Sequence, residues 1–135
     1  MPSDSDDLIQ SWLRSTLETA TGCDAWPLIG PASDPPYVMF AQAGQADEDT
    51  LDDDGETITT GTFTIEVYGA GYAGTHEMAR NVRQALRNFA GSSGDLTIVR
   101  VLVTDSKDSD PVFEDGQNKP IAYVVEITVA VSWME

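Results

Sequence analysis

Every second residue from Ile121 to Trp133 is apolar: Ile121, Tyr123, Val125, Ile127, Val129, Val131 and Trp133. Side chains alternate between the faces of a strand, so the run predicts one long β-strand with a continuous apolar face. A face of that length must be covered, which calls for neighbouring strands and for helices packed above them.

The rest of the chain supplies those partners. Leu8, Ile9, Trp12, Leu13 and Leu17 recur at helical spacing behind the capping and acidic residues Ser5, Asp6 and Asp7, and Thr21-Gly22 offers a stop. Pro27, Pro31, Pro35 and Pro36 keep the following segment irregular or extended, and Tyr37 to Phe40 reads as a strand. Thr62 to Tyr68 alternates, with Phe63, Ile65 and Val67 on one side. Between these strands, residues 46–56 read ADEDTLDDDGE, too densely charged to pack, and predict a solvated loop closing a hairpin.

A second helix is predicted with Thr75 as N-cap, Glu77 in its first turn, and Met78, Ala79, Val82, Leu86 and Phe89 along its apolar side. Leu96 to Thr104 is β-branched and strand-like. Asp105 to Pro120 is polar, contains Pro111 and Gly116, and predicts a long loop or an exposed hairpin tip. The order α-β-β-α-β-β implies an α+β fold, a mostly antiparallel sheet of four or slightly more strands covered by two helices, in one domain over residues 1–135.

Charge narrows the function classes. Against 7 Lys and Arg stand 23 Asp and Glu, a formal charge of -16, which repels phosphate backbones and anionic lipid, so neither gripping of nucleic acid nor a membrane partner is expected. The residues from Met1 to Asp7 lack a signal peptide's basic start and apolar stretch. Cys23 is the single cysteine and reads as a small buried hydrophobe.

Gly69-Ala70-Gly71-Tyr72-Ala73-Gly74 matches G-x-G-x-x-G, the turn that presents a helix N-terminus to a dinucleotide pyrophosphate. The partner acids are misplaced. Asp95 lies at a suitable chain distance but precedes its strand, whereas Asp105 ends that strand too far along. With its entering strand assigned to a hairpin, the motif reads as a strand-to-helix turn, and no cofactor is expected. A calcium loop centred on Gly55 would use Asp52 and Asp54, but it puts Thr50 at the first ligand position and Gly61 where a bidentate Glu belongs. Asp105, Asp108, Asp110, Glu114 and Asp115 fit no such loop either. The one histidine, His76, lacks the second His of a zinc-binding HExxH helix and reads as a surface residue at a helix start. No metal, catalytic or cofactor residue is assigned, and the chain is not expected to be an enzyme. Arg80, Arg83 and Arg87 share one stripe of the second helix, a concentration of cations in a chain with few. They, with Asp52, Asp53 and Asp54 as acidic counterparts, are candidate subunit-interface residues.

Pro35-Pro36-Tyr37-Val38-Met39-Phe40, Phe63-Thr64-Ile65-Glu66-Val67-Tyr68, Tyr72 with Met78-Ala79 and Val82-Arg83-Gln84-Ala85-Leu86, and the ending Val129-Ala130-Val131-Ser132-Trp133 together resemble the tail terminator, or tail completion, family of tailed viruses. The acidic segment and Trp26-Pro27 depart from that pattern. The resemblance implies a virion subunit, assembled in the host cytoplasm, that forms a ring, typically a hexamer, on the head-proximal end of the tail tube. There it stops tube growth and joins tail to head. Its implied partners are copies of itself, the tail tube protein and a head-closure or connector protein, with DNA passing through the lumen unbound. A head-closure or connector subunit of the neck is the alternative; a nucleotide enzyme using Gly69 to Gly74 and a calcium-dependent module are more remote.

Overall fold

A computed structural model describes residues 4–27, 35–49, 57–87, 89, 91–93, 96–113 and 120–134. Its elements are α1 (Asp4–Thr21), β1 (Ala25–Pro27), β2 (Tyr37–Asp49), β3 (Thr57–Gly69), α2 (Tyr72–Arg87), β4 (Gly91–Ser93), β5 (Leu96–Phe113) and β6 (Pro120–Met134). They form one six-stranded sheet in the order β1-β2-β3-β6-β5-β4, antiparallel throughout except for the short parallel pairing of β1 with β2. The fold is α+β, as the sequence predicts, with two short strands, β1 and β4, added at the sheet's margins.

Both helices cover one face. From α1, Ile9, Trp12, Leu13 and Leu17 meet Val38, Phe40, Phe63, Ile65 and Val67 of the sheet, with Ala79, Val82 and Leu86 of α2 beside them. β6 supplies Val125, Ile127, Val129, Val131 and Trp133 to the same core. Each of the Val, Leu, Ile and Phe side chains among these contributes about 1.5–3 kcal/mol by leaving water, which is what holds helices to sheet. The other face carries no helix among the described residues. It presents Tyr37, Met39, Thr60, Thr62, Thr64, Glu66, Tyr68, Glu126, Thr128 and Ser132, all half-buried.

The alternation in β6 does not extend to its first residues. Ile121 is exposed, while Ala122 and Val124 on the opposite side are buried. β3 pairs with β6 only from Tyr123 onward, so residues 120–122, matched to Val112 and Phe113 of β5, lie past the last residue of β3 in a two-stranded arm. Val124, in contrast, is flanked by Tyr68 on β3 and Ser109 on β5.

Residues 105–113 are strand rather than loop. Register shifts between Ile98 and Arg100, Val103 and Asp105, and Ser109 and Val112 absorb the extra residues and scramble the period-2 signal. The first bulge leaves Val99 exposed and moves the core-facing positions from Leu96 and Ile98 to Val101 and Val103. Pro111 is tolerated because it is unmatched at the Ser109–Val112 register shift and, among the described residues, β4 covers only Leu96 to Ile98 on the other side of β5. The acidic segment is likewise partly strand: Ala46 to Asp49 pair with Thr57 to Thr60, and residues 50–56 lie outside the described residues. Asp52, Asp53 and Asp54 lie outside the described residues.

The helix ends shift in a similar way. α1 begins at Asp4, so Ser5, Asp6 and Asp7 fall inside its first turn, and it stops as predicted at Gly22, whose φ of 73° lets its N–H reach Glu18 O at 2.8 Å. α2 begins at Tyr72, not after Thr75, and Glu77 therefore sits beyond its first turn. Thr75 is fully buried and donates from Oγ1 to Gly71 O at 2.6 Å, acting inside the helix instead of capping it. Phe89 falls just past the helix and packs edge-to-face on Trp12, 4.9 Å between ring centroids.

Candidate functional site

The G-x-G-x-x-G segment joins β3 to α2, but β3 is antiparallel to both of its neighbours, β2 and β6. A dinucleotide turn belongs to a parallel βαβ unit, so this topology is not that of a Rossmann site. The three glycines also differ in kind. A Cβ at Gly69 would collide with the Thr75 side chain, whereas at Gly71 and Gly74 it would meet nothing within 4 Å. Only the first glycine is required by packing, a role that the repeated spacing does not reveal.

The tyrosine inside the motif does more than the glycines around it. Tyr72 Oη donates to Asp108 Oδ2 at 3.1 Å, and His76, one turn further along α2, places Nε2 2.6 Å from Asp108 Oδ1. The Tyr72 ring packs on His76 at 4.6 Å and edge-on to Tyr123 at 5.8 Å. His76, expected as a surface residue at a helix start, stands instead in the second turn of α2, half-buried beside Asp108 of β5. The bond to Asp108, that carboxylate's charge and slight burial hold the Tyr72 hydroxyl above its ordinary pKa. Tyr72 and His76, four apart, predict a shared helix face. Asp108 gives no local signal, because its placement depends on the bulges of β5. Between these groups and Pro111, Tyr123, Val124 and Val125 lies a hollow of about 230 Å³.

Arg80, Arg83 and Arg87 run along α2 beside β5. Arg83 donates from Nη1 to Ser106 Oγ at 2.9 Å, while Arg80 and Arg87 are exposed. With Ala73, His76 and Glu77, Arg80 and Arg83 border a shallow groove of about 520 Å³. Among the described residues no cluster of three His, Cys, Asp or Glu is arranged to hold a metal ion. No helix among them is long and apolar enough to cross a membrane.

On the open sheet face Tyr37 and Tyr68 stack at 4.7 Å, with Glu66 accepting from Tyr68 Oη at 3.3 Å. Burial, the charge of Glu66, the neighbouring Tyr37 and the hydrogen bond to Glu66 together push Tyr68 up to about 12. The unfolded phenol ionises near 10, so this contribution to stability is full below pH ~10 and is lost as pH rises toward the folded value. A phenolate absorbance titration should show Tyr68 titrating late and Glu66→Gln bringing it back toward the ordinary range. Unchanged titration in Glu66→Gln would refute that account.

At the other side of the sheet, Gln10 of α1, Pro27 of β1, Phe40, Ala41 and Gln42 of β2 and Phe63 of β3 enclose a mainly apolar pocket of about 160 Å³. The sequence reading has no counterpart to this pocket, since its lining comes from four elements.

No protein-family model matches the chain, and no curated protein matches it. Among solved structures, a chain from the virion of a native gene transfer agent particle is similar over 88% of this chain and 84% of that one, with a TM-score of 0.57 and 15% identity. At that identity the likeness establishes a common fold.

Proposed function

We propose that the chain is a structural subunit of a tailed virion or virion-like particle and that it acts as a tail terminator. It forms a ring, six-membered as the family resemblance implies, on the head-proximal end of the tail tube. The observation carrying this reading is the fold shared, over most of both chains, with a component of a gene transfer agent virion. The work is recognition by shape and charge, without bond chemistry. Its partners are further copies of the chain, the tube protein and a head-closure or connector protein.

Charge gives the ring a physical basis. Arg80, Arg83 and Arg87 face acids of the neighbouring subunit, with Asp52, Asp53 and Asp54 as the sequence's candidates, and complementary charge sets the register of a closing heterologous interface. The open sheet face, with its hydroxyls, Glu66 and Glu126, lines a lumen that repels DNA and lets it slide. Electron microscopy of the purified protein mixed with tail tubes tests the assignment: rings capping one tube end are expected. Protein that leaves both ends bare would overturn it. Arg80→Glu and Arg87→Glu should each raise the concentration needed for assembly about 10-fold at low salt, the gap closing as salt screens the pairs. Light scattering across a salt series reads this directly, and unaltered assembly at low salt would remove the arginines from the interface.

A further inference from the structure

Asp108 stands where the pattern of the sheet calls for an apolar side chain. It is matched across the ladder to Val125, which is 2% exposed in the core beneath the helices, yet Asp108 is a carboxylate with 53% of its side chain exposed. That carboxylate is held in place. Tyr72 Oη donates to Oδ2 at 3.1 Å, and His76 Nε2 stands 2.6 Å from Oδ1. A carboxylate oxygen has two lone pairs, so one contact at each leaves a second for a further donor, in an orientation that folding has already fixed. Among the described residues no Lys or Arg supplies it: Lys107 meets Glu126, Arg14 meets Glu18, and Arg83 donates to Ser106.

Beside the carboxylate lies the hollow of about 230 Å³ walled by Tyr72, Tyr123, Pro111 and Val124. It is larger than the ~150 Å³ that takes up benzene, so a planar group with methylenes attached fits in it. Its two tyrosine rings meet edge to face at 5.8 Å, and Tyr72 is 55% exposed. A clamp between α2 and β5 accounts for the Tyr72 bond, but not for an aromatic-walled hollow beside it.

An aromatic wall next to one oriented carboxylate discriminates among ligands. An anion meets a like charge there, and a neutral apolar group strips water from Asp108 without replacing it. An ammonium is a compact, strongly hydrated point charge, whereas a guanidinium is planar, weakly hydrated, stacks on aromatic rings and forks onto both oxygens of a carboxylate.

We infer that this hollow receives an arginine side chain of a basic partner protein, with the guanidinium bonded to Asp108 and stacked on the tyrosines. Charge selects that occupant over a second copy. A copy brings 23 acidic residues with its 7 basic ones, whereas a basic protein is drawn toward a chain of formal charge -16. The inference is independent of the ring-forming reading.

The probe is acetyl-Ala-Arg-Ala-amide, titrated into the full chain at about 0.15 M salt and followed by saturation-transfer difference NMR, with the lysine and citrulline peptides as controls. Saturable millimolar binding is expected for arginine, weaker binding for lysine and none for citrulline, which keeps the shape and loses the charge. Asp108→Asn should weaken binding at least ~10-fold, as for loss of a hydrogen bond to a charged group. Tyr123→Leu, which leaves Asp108 and its contacts in place, should weaken it about 3-fold. Asp110→Asn removes the same charge from an exposed acid outside the hollow and should leave binding unchanged. Failure of the arginine peptide to saturate, equal binding of citrulline, or equal losses from Asp110→Asn and Asp108→Asn would each overturn the inference. So would an Asp108→Asn chain that keeps its peptide binding and loses self-assembly, which would give the hollow to a second copy. Tube capping without peptide binding overturns this inference and leaves the ring reading standing; peptide binding without capping does the reverse.

Discussion

Trp133→Ala is expected to destabilise the protein by about 3–5 kcal/mol, the range for deleting a buried tryptophan, and to lower the urea midpoint accordingly. Trp133 is 1% exposed near the end of β6, and its ring lies over Gly61 of the neighbouring strand. A Cβ at Gly61 would come within 2.9 Å of Cη2 of Trp133 and 3.1 Å of Cε2 of Phe63, so glycine makes the space the indole fills. Truncation therefore opens a cavity that Phe63 and the helices above cannot collapse into without moving the sheet. Trp133→Phe should cost much less. It retains most of the ring, and it deletes an indole N–H that is buried without an acceptor among the described residues. Equal losses for the two variants would refute the cavity explanation.

Gly69→Ala should cost ~3 kcal/mol, through overpacking rather than through loss of a contact. Its Cβ would overlap the Thr75 hydroxyl and come within 3.0 Å of Thr75 Cβ and 3.1 Å of its Cα. Thr75 cannot swing away, because it is fully buried and its hydroxyl is bonded to Gly71 O. Strand β3 and helix α2 would have to separate at their junction. Gly74→Ala, five residues on, should instead stabilise by ~0.5–1 kcal/mol, since it lies in α2 with open space around it. Adding Thr75→Ala to Gly69→Ala should recover part of the loss by removing the hydroxyl, the backbone approach remaining. Denaturant melts of the three variants test both signs, and a neutral Gly69→Ala would remove the packing requirement.

Local periodicity carried most of the architecture. Leu8 to Leu17, Phe63 to Val67 and Val125 to Trp133 each keep one period over several residues, and each forms the helix or strand that its period predicts. Sequence reasoning failed where a period was interrupted. In β5 four register shifts against β6 fall among charged residues, so a strand of 18 residues resembled a strand followed by a loop. At the start of β6 the pattern continued through Ile121, but the neighbouring strand did not, and an expected core residue emerged exposed beside a register shift. The candidate arginines were legible because a helical stripe is a local property. The pocket facing Gln10, Phe40 and Phe63 was not, because no spacing within one element encodes it.

By itself the sequence determined the α+β class, the two helices and the hairpins, and the separation of a strongly acidic chain into one basic helical stripe and dense acidic segments. These depend on side chains two to four positions apart and on net charge, which chain order states directly. Tertiary structure alone decided that Tyr72 donates to Asp108, 36 positions away, with His76 beside it, that only Gly69 of the three motif glycines is needed, and that four elements meet around the pocket of Phe40 and Phe63. Each of these depends on register, and a one-residue bulge turns every side chain beyond it to the other face. Such a bulge leaves no mark in composition or periodicity except an interruption, and only the neighbouring strand fixes where it falls.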